Sequence, residues 1–135
     1  MSPISDFIRN FNSNIMHGEA RDILDLNMPD DITGWGVTEN DYFNNTNDLH
    51  QRLKLTYSNR MHSDVLLEPL DSFTNKETAF IACRYKRDIL FENGLHLKDD
   101  DLRFSIYLVM HNGRLKIRHG HLSKPWYDIQ HFLNL

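Results

Sequence analysis

Residues 102–123 read LRFSIYLVMHNGRLKIRHGHLS, and the pattern of this stretch decides the fold class. Asn112-Gly113 separates two strand-like runs, and because both residues tolerate positive φ the pair predicts a tight hairpin. Ahead of the turn, Leu102, Phe104, Ile106, Leu108 and Met110 fall at alternate positions, so one face of that strand is apolar throughout. Beyond the turn, strict alternation places Leu115, Ile117, His119, His121 and Ser123 on one face and Lys116, Arg118 and Gly120 on the other. The second strand therefore predicts an interior that begins aliphatic and ends in imidazoles. A small-molecule cavity needs that change, since apolar walls supply burial and a few polar groups fix orientation.

Working back from the hairpin, residues 64–73 and 78–91 read as further strands, with a turn at Asn93-Gly94 and the acidic run Asp99-Asp100-Asp101 as a solvated loop. Toward the N-terminus the period changes. Ser2-Pro3 marks a helix start, after which Ile4, Phe7, Ile8, Phe11 and Ile15 recur at helical spacing. His17-Gly18 interrupts that helix, a second short one carries Ala20, Ile23 and Leu24, and Asn27-Met28-Pro29 ends it. Residues 32–37 predict a short strand and residues 38–41 one helical turn. Asn45 caps a third helix whose stripe is Leu49, Leu53, Thr56 and Tyr57. Helices followed by an antiparallel meander make an α+β layout.

The 135 residues are one domain's worth of chain, and 40% hydrophobic with 25% charged residues is a globular balance. A single domain over residues 1–135 is expected. A net charge of −4 gives no general attraction for nucleic acid or anionic lipid, so neither is an expected partner. The first residues lack a cationic, apolar leader and no stretch approaches membrane-spanning length, which points to a cytoplasmic protein. The lone Cys83 lies among Ile81, Ala82 and Tyr85, where a free thiol packs as a small hydrophobe. No phosphate-binding glycine loop, nucleophile elbow or paired-cysteine motif is present, and no cofactor is expected.

The stretch from Asn112 to Pro125 resembles the closing strand of SnoaL-like domains in the nuclear transport factor 2-like superfamily, where a turn leads into a W-K-I-x-H-x-H-x-S-x-P pattern. Leu115 stands where that family usually carries tryptophan. The run Thr33-Gly34-Trp35-Gly36-Val37-Thr38-Glu39 resembles the family's loop after an early strand, and Arg103-Phe104-Ser105 the start of its penultimate strand. The resemblance implies a ketosteroid isomerase-like, cystatin-like cone: N-terminal helices packed on a strongly curved antiparallel or mixed sheet, enclosing a ligand pocket and often dimeric through the sheet's outer face. Tyr107 and Val109, opposite Phe104 and Ile106, fit that homodimer.

The ligand-binding candidates are His119, His121, Trp35, Tyr42, Phe104, Ile106 and Ile117, taking a small hydrophobic or aromatic molecule. Trp35 is either the closure of a pocket mouth or a core residue. A non-catalytic binding or sensing domain is the favoured function. The alternatives are a cofactor-independent isomerase, dehydratase or polyketide cyclase, and a dimeric interaction module without ligand. Catalysis would use His119 or His121 as general base, with Asp31, Asp64 or Glu68 as acid and Tyr42 or Tyr85 as oxyanion donor. In the structural alternative the histidines bond each other, Ser123 or backbone. Two imidazoles at i and i+2 on a strand are about 6.5–7 Å apart, a spacing two ligands of one ion can bridge. His17, His50, His62, His96, His111 and His131 show no further paired spacing, so no metal is expected. The tail residues Trp126, Tyr127, Phe132 and Leu133 either pack back on the domain or meet a partner.

Overall fold

The computed structural model describes residues 2–37, 42–125 and 133. Helix α1 (Pro3–His17) begins where the Ser2 side chain accepts a hydrogen bond from the Ser5 amide and Pro3 occupies the first turn. It buries Phe7, Phe11 and Ile15. Helix α2 (Ala20–Leu24) opens on a reciprocal cap between Glu19 and Asp22. Two short strands follow, β1 (Thr33–Trp35) and β2 (Tyr42–Phe43). Helix α3 (Thr46–Tyr57) starts at Asn45, whose side chain accepts from the Asp48 amide at 2.8 Å. The helical turn expected at residues 38–41 and the tail aromatics Trp126, Tyr127 and Phe132 lie outside the described residues.

The long strands are β3 (Arg60–Thr74), β4 (Thr78–Phe91), β5 (His96–His111) and β6 (Arg114–Ser123). With β1 and β2 they form a six-stranded sheet in the order β2-β1-β6-β5-β4-β3, in which only the β1–β6 pairing is parallel. Asn112 and Gly113 take φ values of 51° and 81°, as the expected hairpin requires. The acidic run is not the solvated loop its composition suggests: β5 starts at His96, and residues 99–101 pair or abut β4 within the sheet. Asp99 belongs there because Arg87 faces it across the strand pair. No helix among the described residues is long and apolar enough to cross a membrane.

The sheet's inner face buries Leu67, Ile81, Tyr85, Leu102, Ile106 and Leu108 against α1. Phe11 packs edge-on to both Tyr85 and Phe104, with ring centroids 5.7 and 6.0 Å away. Polar contacts fix the helix on the strand beneath it. The Asn12 side-chain oxygen accepts from the Leu67 amide at 2.9 Å, Ser63 Oγ donates to the Ile15 carbonyl at 2.8 Å, and Arg60 donates to the Ile15 and Gly18 carbonyls where α1 ends.

Register shifts interrupt β3–β4, β4–β5 and β5–β6, and such bulges bend a sheet. The one in β6 overturns the expected face assignment. Tyr107 pairs with His119, but the next residue, Leu108, pairs with Ile117, so Arg118 is an extra residue. A one-residue slip exchanges the two faces of everything beyond it. Leu115 and Ile117 stay buried within, Gly120 follows them inward, and His119 and His121 turn to the outer face, where His121 is exposed. Lys116 and Arg118 are not core residues either. They reach Asp25 at 3.1 Å and Asp31 at 2.9 Å.

Candidate functional site

Between the helices and the concave side of the sheet lies a cavity of about 180 Å³. Phe11 and Ile15 of α1, with Ile23 and Leu26, form one wall, and Leu49, Arg52, Leu53, Thr56 and Tyr57 of α3 form a second. The floor is sheet: Tyr85 and Arg87 from β4, Phe104 from β5, and Ile117, Gly120 and Leu122 from β6. Trp35, Gly36 and Phe43 stand at the rim, near the short β1–β2 pair. Grooves of about 470 and 600 Å³ elsewhere run between loops and exposed charged side chains. They lack the aromatic wall of this cavity.

Two glycines make room for the floor. Gly34 and Gly120 are neighbours across the parallel β1–β6 pair. A Cβ on Gly120 would stand 2.9 Å from Phe104 Cε1, and one on Gly34 would stand 2.8 Å from Phe43 Cε1 and 2.9 Å from the Gly120 carbonyl oxygen. Both rings can therefore lie against bare backbone.

The polar groups of the lining are mostly donors: the Arg52 and Arg87 guanidiniums and the Thr56, Tyr57 and Tyr85 hydroxyls. Asn27 also contributes, but its amide nitrogen is held by the Ile23 and Leu24 carbonyls at 3.1 and 3.4 Å. Burial pushes the Tyr85 phenol well above its usual pKa, and the neighbouring Tyr57 hydroxyl, its hydrogen-bond partner, adds to the effect. Tyr85 is thus a neutral O–H at physiological pH. Arg87 Nε lies 2.9 Å from Asp99, which also meets Lys124 at 3.3 Å. Burial alone would raise the Asp99 pKa, yet the hydrogen bonds and charges of Arg87 and Lys124 outweigh it and hold the carboxyl below its ordinary value. Among the described residues no carboxylate and no imidazole lines the cavity.

Of the residues singled out in the sequence, the ligand-binding candidates Trp35, Phe104 and Ile117 and the oxyanion-donor candidate Tyr85 border the cavity. Ile106 points inward but is sealed in the core with no exposed surface. Tyr42 packs against Trp35 at a 40° tilt, ring centroids 4.6 Å apart, outside the lining. His119 Nδ1 lies 2.6 Å from Thr33 Oγ1 on the other side of the sheet, a partner different from those expected. His121 pairs with Ser105 in the β5–β6 ladder. Asp64 and Glu68 are exposed on β3, and Asp31 is engaged by Arg118. No group of three or more metal-ligating side chains occurs among the described residues. Cys83 is buried in the core with its thiol pKa pushed up to about 12 by desolvation, an inert setting. Sequence reasoning missed Arg52, Arg87 and Gly120. Arg52 lies one residue ahead of Leu53 on the α3 stripe, and that proximity was the one available signal.

Helices closing the concave side of a curved sheet, with a cavity between the layers, define the nuclear transport factor 2-like fold, and this chain has it. No protein-family model matches the chain, and none of the curated proteins compared with it matches. Solved structures do match. A provisionally named dehydratase of the NTF2-like family from Streptomyces avermitilis superposes with a TM-score of 0.77 at 11% identity, over 93% of this chain and 95% of that one. An NTF2-like protein of unknown function from Pseudomonas putida KT2440 gives 0.71 at 14% identity, over 95% and 87%. A provisionally named calcium/calmodulin dependent protein kinase II association domain from Xanthomonas campestris gives 0.75 at 14%, over 90% and 85%. At these identities the likeness is one of fold.

Proposed function

We propose that this chain is a small-molecule-binding or sensing domain of the SnoaL-like kind that holds its ligand in the cavity between α1, α3 and the sheet without transforming it. The observation that carries this reading is the composition of the wall: aromatic and aliphatic surface with hydrogen-bond donors, and no acid or imidazole among the described residues. Orientation and burial need only such groups. Isomerase, dehydratase or cyclase chemistry additionally requires a positioned general base, and His119 and His121, the residues most suited to that task, lie across the sheet. The likeness to a dehydratase-named protein therefore supports the fold-level alternative without supplying its proton acceptor.

The expected outcome is a rise in melting temperature with at least one compound from a panel of toluene, benzamide and sodium benzoate at millimolar concentration, because a ligand bound only by the folded state stabilises it by mass action. Methyl signals of Leu53 and Ile117 should shift in the same titration. A panel that leaves both the melting temperature and those methyls unmoved overturns the reading.

We also propose that two copies associate through the outer face of the sheet. Its support is a row of exposed aromatic surface, Phe73 on β3, Phe80 on β4 and Tyr107 on β5, aligned by strand register.

A further inference from the structure

Size and charge together narrow what the cavity accepts. A cavity of about 150 Å³ lined by aliphatic and aromatic side chains admits benzene, and the volume here is about 180 Å³. One ring with a small substituent fills that volume, whereas a steroid or a fused polyketide skeleton would extend past the rim.

Among the described residues, the charged side chains that line the cavity are two arginines. Arg52 and Arg87 both border it, and Arg60 stands beside it with its guanidinium carbon 5.1 Å from the Tyr57 ring centroid. Asp99, the acid joined to this group, is set against two cations, Arg87 at 2.9 Å and Lys124 at 3.3 Å. The whole chain carries −4, so a cationic lining departs from the general charge balance of the protein. The Tyr57 and Tyr85 hydroxyls, bonded to each other, lie on the same wall. Donors converging on an apolar space of low dielectric are matched by an anion, and planar guanidinium suits carboxylate geometry.

We infer that the cavity binds a monocyclic aromatic carboxylate, its ring among Phe11, Leu53, Phe104 and Ile117 and its carboxylate directed to Arg52, Arg87 and Tyr57. This rests on the binding function proposed above and gives it a ligand class. Neither the ring nor the charge suffices alone: the apolar wall provides burial, and the guanidiniums discriminate between an acid and its neutral isostere.

The test compares sodium benzoate, benzamide, toluene and naphthalene-2-carboxylate on the full chain, by calorimetric titration and by the Leu53 and Ile117 methyl shifts. Benzoate should bind at least about tenfold more tightly than benzamide, as expected of one charge-assisted hydrogen-bonded contact. Arg52→Gln should bring benzoate down to the benzamide level, with Arg52→Lys recovering part of the difference. The unmodified chain already decides the matter if either variant folds poorly. Benzamide or toluene binding as tightly as benzoate would overturn the anion assignment and leave the binding function standing. Naphthalene-2-carboxylate binding more tightly than benzoate would overturn the single-ring limit. Benzoate shifting only residues outside the cavity overturns the inference, and silence from all four probes overturns the binding function with it.

Discussion

Asp99 keeps only 9% of its surface exposed, an unfavourable place for a charge unless cations answer it closely. Arg87, with 17% of its side chain exposed, does so at 2.9 Å, and Lys124 reaches in from the strand end. Removing one member leaves the other as a buried uncompensated charge, so Asp99→Asn should cost about 3 kcal/mol of stability at neutral pH. The pH dependence has a definite sign. Because the folded-state pKa of Asp99 is lowered, its contribution is fully present above the unfolded value near 4 and disappears as pH falls through the folded one. Urea denaturation of parent and variant should therefore show a wide gap at pH 7 that narrows at pH 3. A gap of equal size at both pH values would mean that shape and not charge holds the site together. The same pair explains why sequence alone misplaced it: three consecutive aspartates have the composition of a loop, and only the cross-strand partner, twelve residues away at Arg87, makes one of them a strand residue.

At the scale of elements, the parts that were legible in the sequence are those whose physics is local. Ser2-Pro3 and Asn45 announce the starts of α1 and α3 through their own caps, and Asn112-Gly113 dictates its hairpin through backbone sterics. The inner faces of β4 and β5 also follow from alternation, from Ala79 through Tyr85 and from Leu102 through Leu108. What alternation cannot reveal is an inserted residue. Nothing in the chemistry of Arg118 distinguishes it from its neighbours, yet its extra place in β6 turns two histidines outward and brings Gly120 under Phe104. The candidate site was accordingly legible in its aromatic and aliphatic wall and illegible in its charges. The β1–β6 seam depends on this offset. An added methyl at Gly34 meets the Gly120 carbonyl oxygen at 2.9 Å, which is backbone and yields little. Gly34→Ala should lower stability by about 1–3 kcal/mol, the range for forced overpacking. Thermal unfolding would measure it, and an unchanged melting temperature would show that the short edge strands give way freely.

For the whole molecule the proposed dimer rests on the side of the sheet that the helices do not cover. Register aligns Phe73 with Phe80 and Phe80 with Tyr107, and the row continues to His119 on β6 and Thr33 on β1. Phe73 is 66% exposed and Tyr107 40%, so adjacent rings on three strands meet water together. Single exposed apolar residues are ordinary on protein surfaces, but contiguous ones mark association. A row that crosses the sheet from strand to strand suits a twofold contact, in which the same patch meets itself and the aromatics become the buried centre. The cavity opens on the opposite side, so such a dimer leaves ligand entry unobstructed. Sedimentation equilibrium at high micromolar concentration should return twice the chain mass, and Phe80→Glu should return the single-chain mass, because a carboxylate at the centre of the interface is desolvated without a partner. Phe80 is partly exposed in the single chain, so this variant should retain a folded circular dichroism spectrum and its benzoate response. A parent chain that sediments as one copy throughout would remove the dimer and leave those aromatics as surface without a shared role.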